Sequence, residues 1–132
     1  ADGRHIIADM WGLPKSLLTD HVAMRAFLVG AAKQNKATVV NHIAHELDPP
    51  GFSILIALNE SHIAVHTYAD EGMLAVDIFT CGDKANSEGI FTMFVAWLKA
   101  NSVGHSFTVA RRTLPRFVKG LQWEGEYQCA YC

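Results

Sequence analysis

The sequence predicts an α+β fold: a two-layer sandwich in which an antiparallel β-sheet carries two helices on one face. Three observations lead there. Six segments carry strand-type patterning. Two longer segments space their apolar residues as a helix does. The middle strands are joined by links too short for a crossover, so they pair antiparallel. With 132 residues, half of them hydrophobic and 18% charged, the chain has the material for one domain around one core.

Residues 4 to 12 read as the first strand, ended by Gly12 and Pro14. From Thr19 to Gln34, Val22, Ala23, Ala26, Phe27, Gly30 and Ala31 recur at helical spacing. Thr19 or Asp20 can cap this helix by accepting a hydrogen bond from its first turn. Ala37 to Leu47 is β-rich at its start, through Thr38, Val39, Val40 and Ile43. Asp48-Pro49-Pro50-Gly51 is a turn, because neither proline can donate a ladder bond. Phe52 to Leu58 is a near-continuous apolar run, which predicts a central strand buried on both sides. Ile63, Val65 and Thr67 then alternate with His62, Ala64 and His66, leaving Asn59-Glu60-Ser61 as a tight link between strands. Met73 to Thr80 is a further strand, set between Gly72 and Gly82. Asn86 caps a second helix that reaches Ala100, with Ile90, Phe91, Phe94, Val95, Trp97 and Leu98 on its apolar face. His105 to Ala110 forms the last strand, and a polar tail with scattered aromatics is expected from Arg111 onward. Two helices cover only one face of such a sheet. A second copy of the chain is the simplest cover for the other, so a homodimer is expected.

Charge and composition exclude several classes. The formal net charge is -2, and Arg111-Arg112 and Arg116 with Lys119 are too few to suggest nucleic-acid binding. No apolar run approaches the length of a membrane span. The segment Ala1-Asp2-Gly3-Arg4-His5 lacks a signal-peptide pattern. Cys81, Cys129 and Cys132 make no even disulfide framework, which points to a reducing, cytoplasmic setting. Cys129 and Cys132 form a CxxC without a following helix or further ligands, and read as a frayed tail. His42 and His45 fall on opposite faces of a strand, so no shared metal is expected.

The chemistry concentrates around Ser61. A serine hydroxyl in a strained turn can attack the preceding carbonyl, here that of Glu60, and exchange the amide for an ester. Loss of the serine α-proton then breaks the chain and leaves dehydroalanine, which hydrolyses to a pyruvoyl group and ammonia. A base near that carbon and a donor for the carbonyl oxygen are required. His66 lies five positions on, and so on the opposite face of a regular strand from Ser61; a bend or bulge at Ser61 is needed to bring them together. Ser53, on the neighbouring strand, is a candidate donor.

The run Glu60-Ser61-His62 through His66-Thr67, followed by Ala75-Val76-Asp77-Ile78-Phe79-Thr80-Cys81-Gly82, resembles the core signature of the small prokaryotic-type S-adenosylmethionine decarboxylases. Gly3-Arg4-His5-Ile6-Ile7-Ala8-Asp9 is similar to that family's opening strand, and Pro49-Pro50-Gly51-Phe52-Ser53 falls in register. The resemblance implies cleavage between Glu60 and Ser61, giving a β chain of residues 1–60 and an α chain of 61–132 that begins with a pyruvoyl group. It implies processing roles for His66 and Ser53 and a proton-donor role for Cys81. The pyruvoyl ketone would form a Schiff base with the substrate amine and accept the electrons left by departing carbon dioxide. The product would be the aminopropyl donor of spermidine and polyamine synthesis.

The sequence departs from the family pattern around the implied substrate residues, Leu47, Tyr68, Asp70 and Glu60. Where the family reads Thr-Trp-Pro-Glu, this chain reads Thr67-Tyr68-Ala69-Asp70. Tyr68 keeps a ring that can stack on adenine, and Asp70 keeps a carboxylate for a ribose diol. Leu47 stands where the family commonly has a second stacking ring, flanked by Glu46 and Asp48. Those acids are either solvated turn residues or part of a site for a basic amino acid. Ornithine and arginine therefore stand as alternative substrates for the same chemistry, and a non-processing, non-catalytic homologue as a third reading.

Overall fold

The computed structural model describes residues 3–48, 50–104 and 106–114. Strand β1 (Gly3–Trp11) leads through a one-turn helix α1 (Lys15–Leu18) into α2 (His21–Gln34). Strands β2 (Val39–Leu47), β3 (Gly51–Leu58) and β4 (Ser61–Tyr68) follow as consecutive hairpins. A 3₁₀ turn over Ala69–Glu71 leads into β5 (Met73–Thr80), then α3 (Ser87–Ala100) and β6 (Ser106–Leu114). The six strands form one antiparallel sheet in the order β2-β3-β4-β5-β1-β6.

The two long helices share one face of this sheet, as expected. Asp20 is the α2 cap, accepting from the Ala23 N–H at 3.1 Å, while the Thr19 hydroxyl turns back to the Lys15 carbonyl. Asn86 caps α3 in the same way through the Gly89 N–H. Phe27 of α2 stacks on Trp97 of α3, with ring centroids 5.0 Å apart, and this seam joins the helices. Beneath them lies the core: Met24 and Leu28, Ile90 and Phe94, and the inward residues of the central strands.

Two expectations are corrected. Phe52–Leu58 is not buried on both sides within one chain: Phe52, Ile54, Ile56 and Leu58 face the helices, while Leu55 stands exposed on the open face. An apolar run reports the potential for burial, and here one side has no cover within the protomer. The last strand does not stop at Ala110. Arg111, Arg112, Thr113 and Leu114 continue it, paired with Ile6, His5, Arg4 and Gly3 of β1. Side-chain polarity hid this strand, since an edge strand with one solvated face needs no apolar alternation. The short α1 and the 3₁₀ turn were not anticipated. Pro49, His105, Arg116, Lys119, Cys129 and Cys132 lie outside the described residues.

The open face presents His5, Ile7 and Asp9 of β1, Ser53 and Leu55 of β3, His62 and His66 of β4 and Asp77 of β5, in cross-strand rows set by the register. The β3–β4 register is reinforced from the helical side. The buried Thr67 hydroxyl donates to the Leu18 carbonyl at 2.8 Å and accepts from the Phe52 N–H at 2.9 Å. Next to it, Gly51 has φ +152°, and any Cβ there would lie 2.4 Å from the Thr67 carbonyl oxygen. Thr67→Val keeps the shape and strands both buried backbone groups. In a Ser61→Ala background, which lacks the hydroxyl required for the expected scission, it is expected to lower stability by about 2–4 kcal/mol in urea titration, and Thr67→Ser by much less.

Candidate active site

The β3–β4 hairpin turns on two residues, Asn59 and Glu60, with Leu58 and Ser61 paired on either side. So tight a reversal demands an unusual backbone, and Glu60 supplies it with φ +64°. Asn59 is anchored by donating its N–H to the Thr38 carbonyl at 3.0 Å. The Ser61 hydroxyl, at the first position of β4, donates to the Asn59 carbonyl at 3.3 Å. Beside this turn the chain leaves β5 through Cys81 and Gly82. Ser61 and Cys81 line one cavity of about 360 Å³ together with Asn59, Glu60, Lys36 and Lys84. The cysteine is half-buried and free.

The other expected residues gather at the opposite end of the sheet. β4 pairs with β3 and β5 without a register shift, so the bend that would carry His66 to Ser61 is absent. Five strand residues separate the two by about 16 Å along β4. His66 instead shares a 2.8 Å hydrogen bond with Ser53, its cross-strand partner, on the open face. Leu47 and Tyr68 lie beyond them, both exposed on that face, and Asp70 in the 3₁₀ turn accepts from Lys15 at 3.0 Å. Within one chain the expected site residues therefore fall into two groups: Glu60, Ser61 and Cys81 at one end, and Ser53, His66, Leu47, Tyr68 and Asp70 at the other.

The profile of the S-adenosylmethionine decarboxylase family matches residues 4–112, which span both halves. The chain belongs to that family. An S-adenosylmethionine decarboxylase proenzyme 2 of Bacillus cereus is 42% identical over 119 residues, covering 90% of this chain and 89% of its own. An S-adenosylmethionine decarboxylase proenzyme of the archaeon Archaeoglobus fulgidus is 31% identical over 103 residues, covering 78% and 92%. Among solved structures, the adenosylmethionine decarboxylase of Aquifex aeolicus superposes with a TM-score of 0.70 at 26% identity, over 96% of this chain and 97% of that one. None of these names refers to ornithine or arginine.

This family member also carries a polar network that the sequence reading missed. On the open face, the two carboxylate oxygens of Asp77 accept from His5 Nε2 and, at 3.0 Å, from His62 Nε2. Arg112 donates from Nε to His5 Nδ1 at 2.8 Å and lies over the Phe79 ring. Four strands contribute, and only their register brings the residues together; the shared open-face parity of His5, His62 and Asp77 was the one signal available in the sequence. The three ligand-type atoms lie within 4.8 Å of one another, close enough for a metal ion. Arg112 opposes that use. By donating to Nδ1 it fixes the His5 proton on Nε2, the atom a metal would need bare, and it adds a positive charge. His42 and His45 face opposite sides; His42 accepts from Arg25 Nε at 2.6 Å on the helical side. Glu46 also turns to that side and accepts from His21 at 3.1 Å. If Arg112 is what blocks the cluster, Arg112→Ala should tighten Zn²⁺ binding at least about tenfold by calorimetry. Equal affinity in the two proteins would show that the arginine is irrelevant to it.

Proposed function

We propose that this chain is a proenzyme that severs itself between Glu60 and Ser61 and then decarboxylates S-adenosylmethionine, using a pyruvoyl group derived from Ser61. One observation carries the reading: Ser61, preceded by a left-handed Glu60, shares a cavity with the free thiol of Cys81.

A glutamate at positive φ costs on the order of 1 kcal/mol, and the hairpin holds it there. Breaking the bond that follows releases that strain. Ser61 Oγ bonds to the Glu60 carbonyl carbon as the C–N bond breaks, giving an ester. Removal of the Ser61 α-proton then expels the Glu60 carboxylate, and hydrolysis with loss of ammonia leaves the ketone. Once formed, the pyruvoyl group supplies an amine-binding carbonyl and an electron sink for the pair released with carbon dioxide. Cys81 Sγ, on the same cavity, holds the proton that substrate Cα must receive. Protonation anywhere else would consume the prosthetic group.

His66 and Ser53 are the processing pair of this reading, but they stand at the far end of the sheet. A second copy resolves this. If two open faces stack with their strands antiparallel, the partner's His66 and Ser53 come to the Ser61 end, followed by the partner's Tyr68, Leu47 and Asp70. Tyr68 then stacks on adenine and Asp70 meets the ribose, released from Lys15. The homodimer also covers Ile7, Ile43 and Leu55, which one chain leaves in water. Ornithine and arginine gain no support from the acids that suggested them: Glu46 is engaged with His21 behind the sheet, and Asp48 is exposed. No described helix is long and apolar enough to cross a membrane. The dependence on a free Cys81 thiol favours the cytoplasm.

Mass spectrometry of the purified protein should find two chains parted between residues 60 and 61, and the protein should release carbon dioxide from S-adenosylmethionine but not from ornithine or arginine. An intact chain that still decarboxylates would defeat the mechanism. The dimer makes a separate demand. Neither Ser61→Ala nor His66→Ala should cleave alone, yet co-expressed they should yield cleaved His66→Ala chains, because each such chain keeps Ser61 and borrows His66. Failure of that rescue in a proven mixed dimer would require both residues to act from one chain.

A further inference from the structure

We infer that Lys36 and Lys84 form the anchor for the substrate's α-carboxylate, and thereby select an amino acid over the corresponding amine. The inference rests on the reading of the Ser61 cavity given above, and it concerns two residues for which that reading has no use.

The first observation is positional. Lys36 and Lys84 line the cavity that holds Ser61 and Cys81, from opposite directions in sequence: Lys36 follows α2 and Lys84 follows β5. The second is conformational. Among the described residues other than glycine, only Lys36 and Glu60 have positive φ, at 67° and 64°, and both line this cavity. Lys36 occupies the position just past a helix end that glycine usually fills. The Ala37 N–H returns to the Ala32 carbonyl at 3.0 Å and the Lys36 N–H to the Lys33 carbonyl at 3.2 Å, which closes the C-terminal turn around it. The neighbouring Asn35 accepts from the Asn86 N–H at the start of α3, so the strap is fixed at both ends. A lysine is held where glycine would cost less, and it lines the cavity that holds Ser61 and Cys81.

The charges explain what the pair is for. The cavity lining carries Lys36 and Lys84 as well as Glu60 and Asp83, two positive and two negative residues. Scission adds the new Glu60 carboxylate beside the place where the substrate carboxylate must sit. Without the lysines, the new Glu60 carboxylate would repel that substrate group with no cation of the lining to offset it. Their cations also act on the ground state in particular. During decarboxylation the negative charge leaves the carboxylate, so a cation bound to it loses part of its hold in the transition state. The pair therefore serves affinity and orientation rather than the rate of bond breaking, and it has no grip on the product, which lacks the carboxylate.

The test uses the cleaved enzyme with Lys36→Gly, Lys84→Gln and the double variant, with Lys99→Gln as a distant control. Exposed charge pairs of this kind contribute modestly, so each single change should raise KM for S-adenosylmethionine about three- to fivefold and the double change about tenfold or more. The kcat should not fall, and the inhibition constant of the decarboxylated product should not move. Lys36→Gly should at the same time raise Tm, because it relieves the left-handed strain; a purely structural role would not join greater stability to a higher KM. Unchanged KM in the double variant overturns the inference while leaving the cleavage and the reaction intact. A product inhibition constant that weakens in step with KM also overturns it, since the lysines would then be serving the Glu60 terminus. A wild-type protein that neither cleaves nor decarboxylates overturns both readings.

Discussion

The β3–β4 hairpin is the constraint from which the rest follows. Its turn allows two residues between paired Leu58 and Ser61, and it closes with Glu60 in the left-handed region. Thr67 fixes the other end through its hydroxyl bonds to Leu18 and Phe52. Between these points β4 has no slack, so its alternation is strict: Ile63, Val65 and Thr67 enter the core, and His62, Ala64 and His66 face outward. A slip of one residue would send the histidines into the apolar layer and bring the core residues into water.

That rigidity explains why one chain holds the proposed site in halves. A strand cannot fold back on itself to join its first residue to its sixth. The parts therefore divide between the turn end, with Ser61 and Cys81, and the far end, with the Ser53–His66 pair. The proposed homodimer would bring the partner's half to the Ser61 end of the sheet by stacking faces. The same stacking would enclose the Arg112–His5–Asp77–His62 network. Its members are mutually hydrogen-bonded and Arg112 offsets the charge of Asp77, the condition under which polar groups tolerate burial.

Strain and charge converge on one small region. The two described non-glycine residues with positive φ approach the cavity from different loops, one before the bond proposed to break and one just past the end of α2. Such conformations persist only where surrounding hydrogen bonds over-determine them, and here the Schellman-type closure after α2 and the paired hairpin do so.

The sequence by itself determined the secondary structure of the interior, because burial there imposes a period: the helices around Phe27 and Phe94 and the strands around Ile54, Val65 and Val76 are legible in apolar spacing. It also singled out Ser61 and Cys81 as candidates, since their motif lies in one continuous stretch of chain ending at Gly82. Where periodicity carried no information, the reading was incomplete. Arg111–Leu114 lies on an edge strand whose polar residues gave no alternation, and Leu55 belongs to an apolar run whose second side is open. Only the tertiary structure decided which residues meet. It parted His66 from Ser61 by keeping β4 straight, joined His66 to Ser53, gathered His5, His62, Asp77 and Arg112 from four strands, and brought Lys36 and Lys84 to the Ser61 cavity from two distant loops. Those meetings depend on register and on the packing of loops against the sheet, and both are set by contacts between residues far apart in the chain.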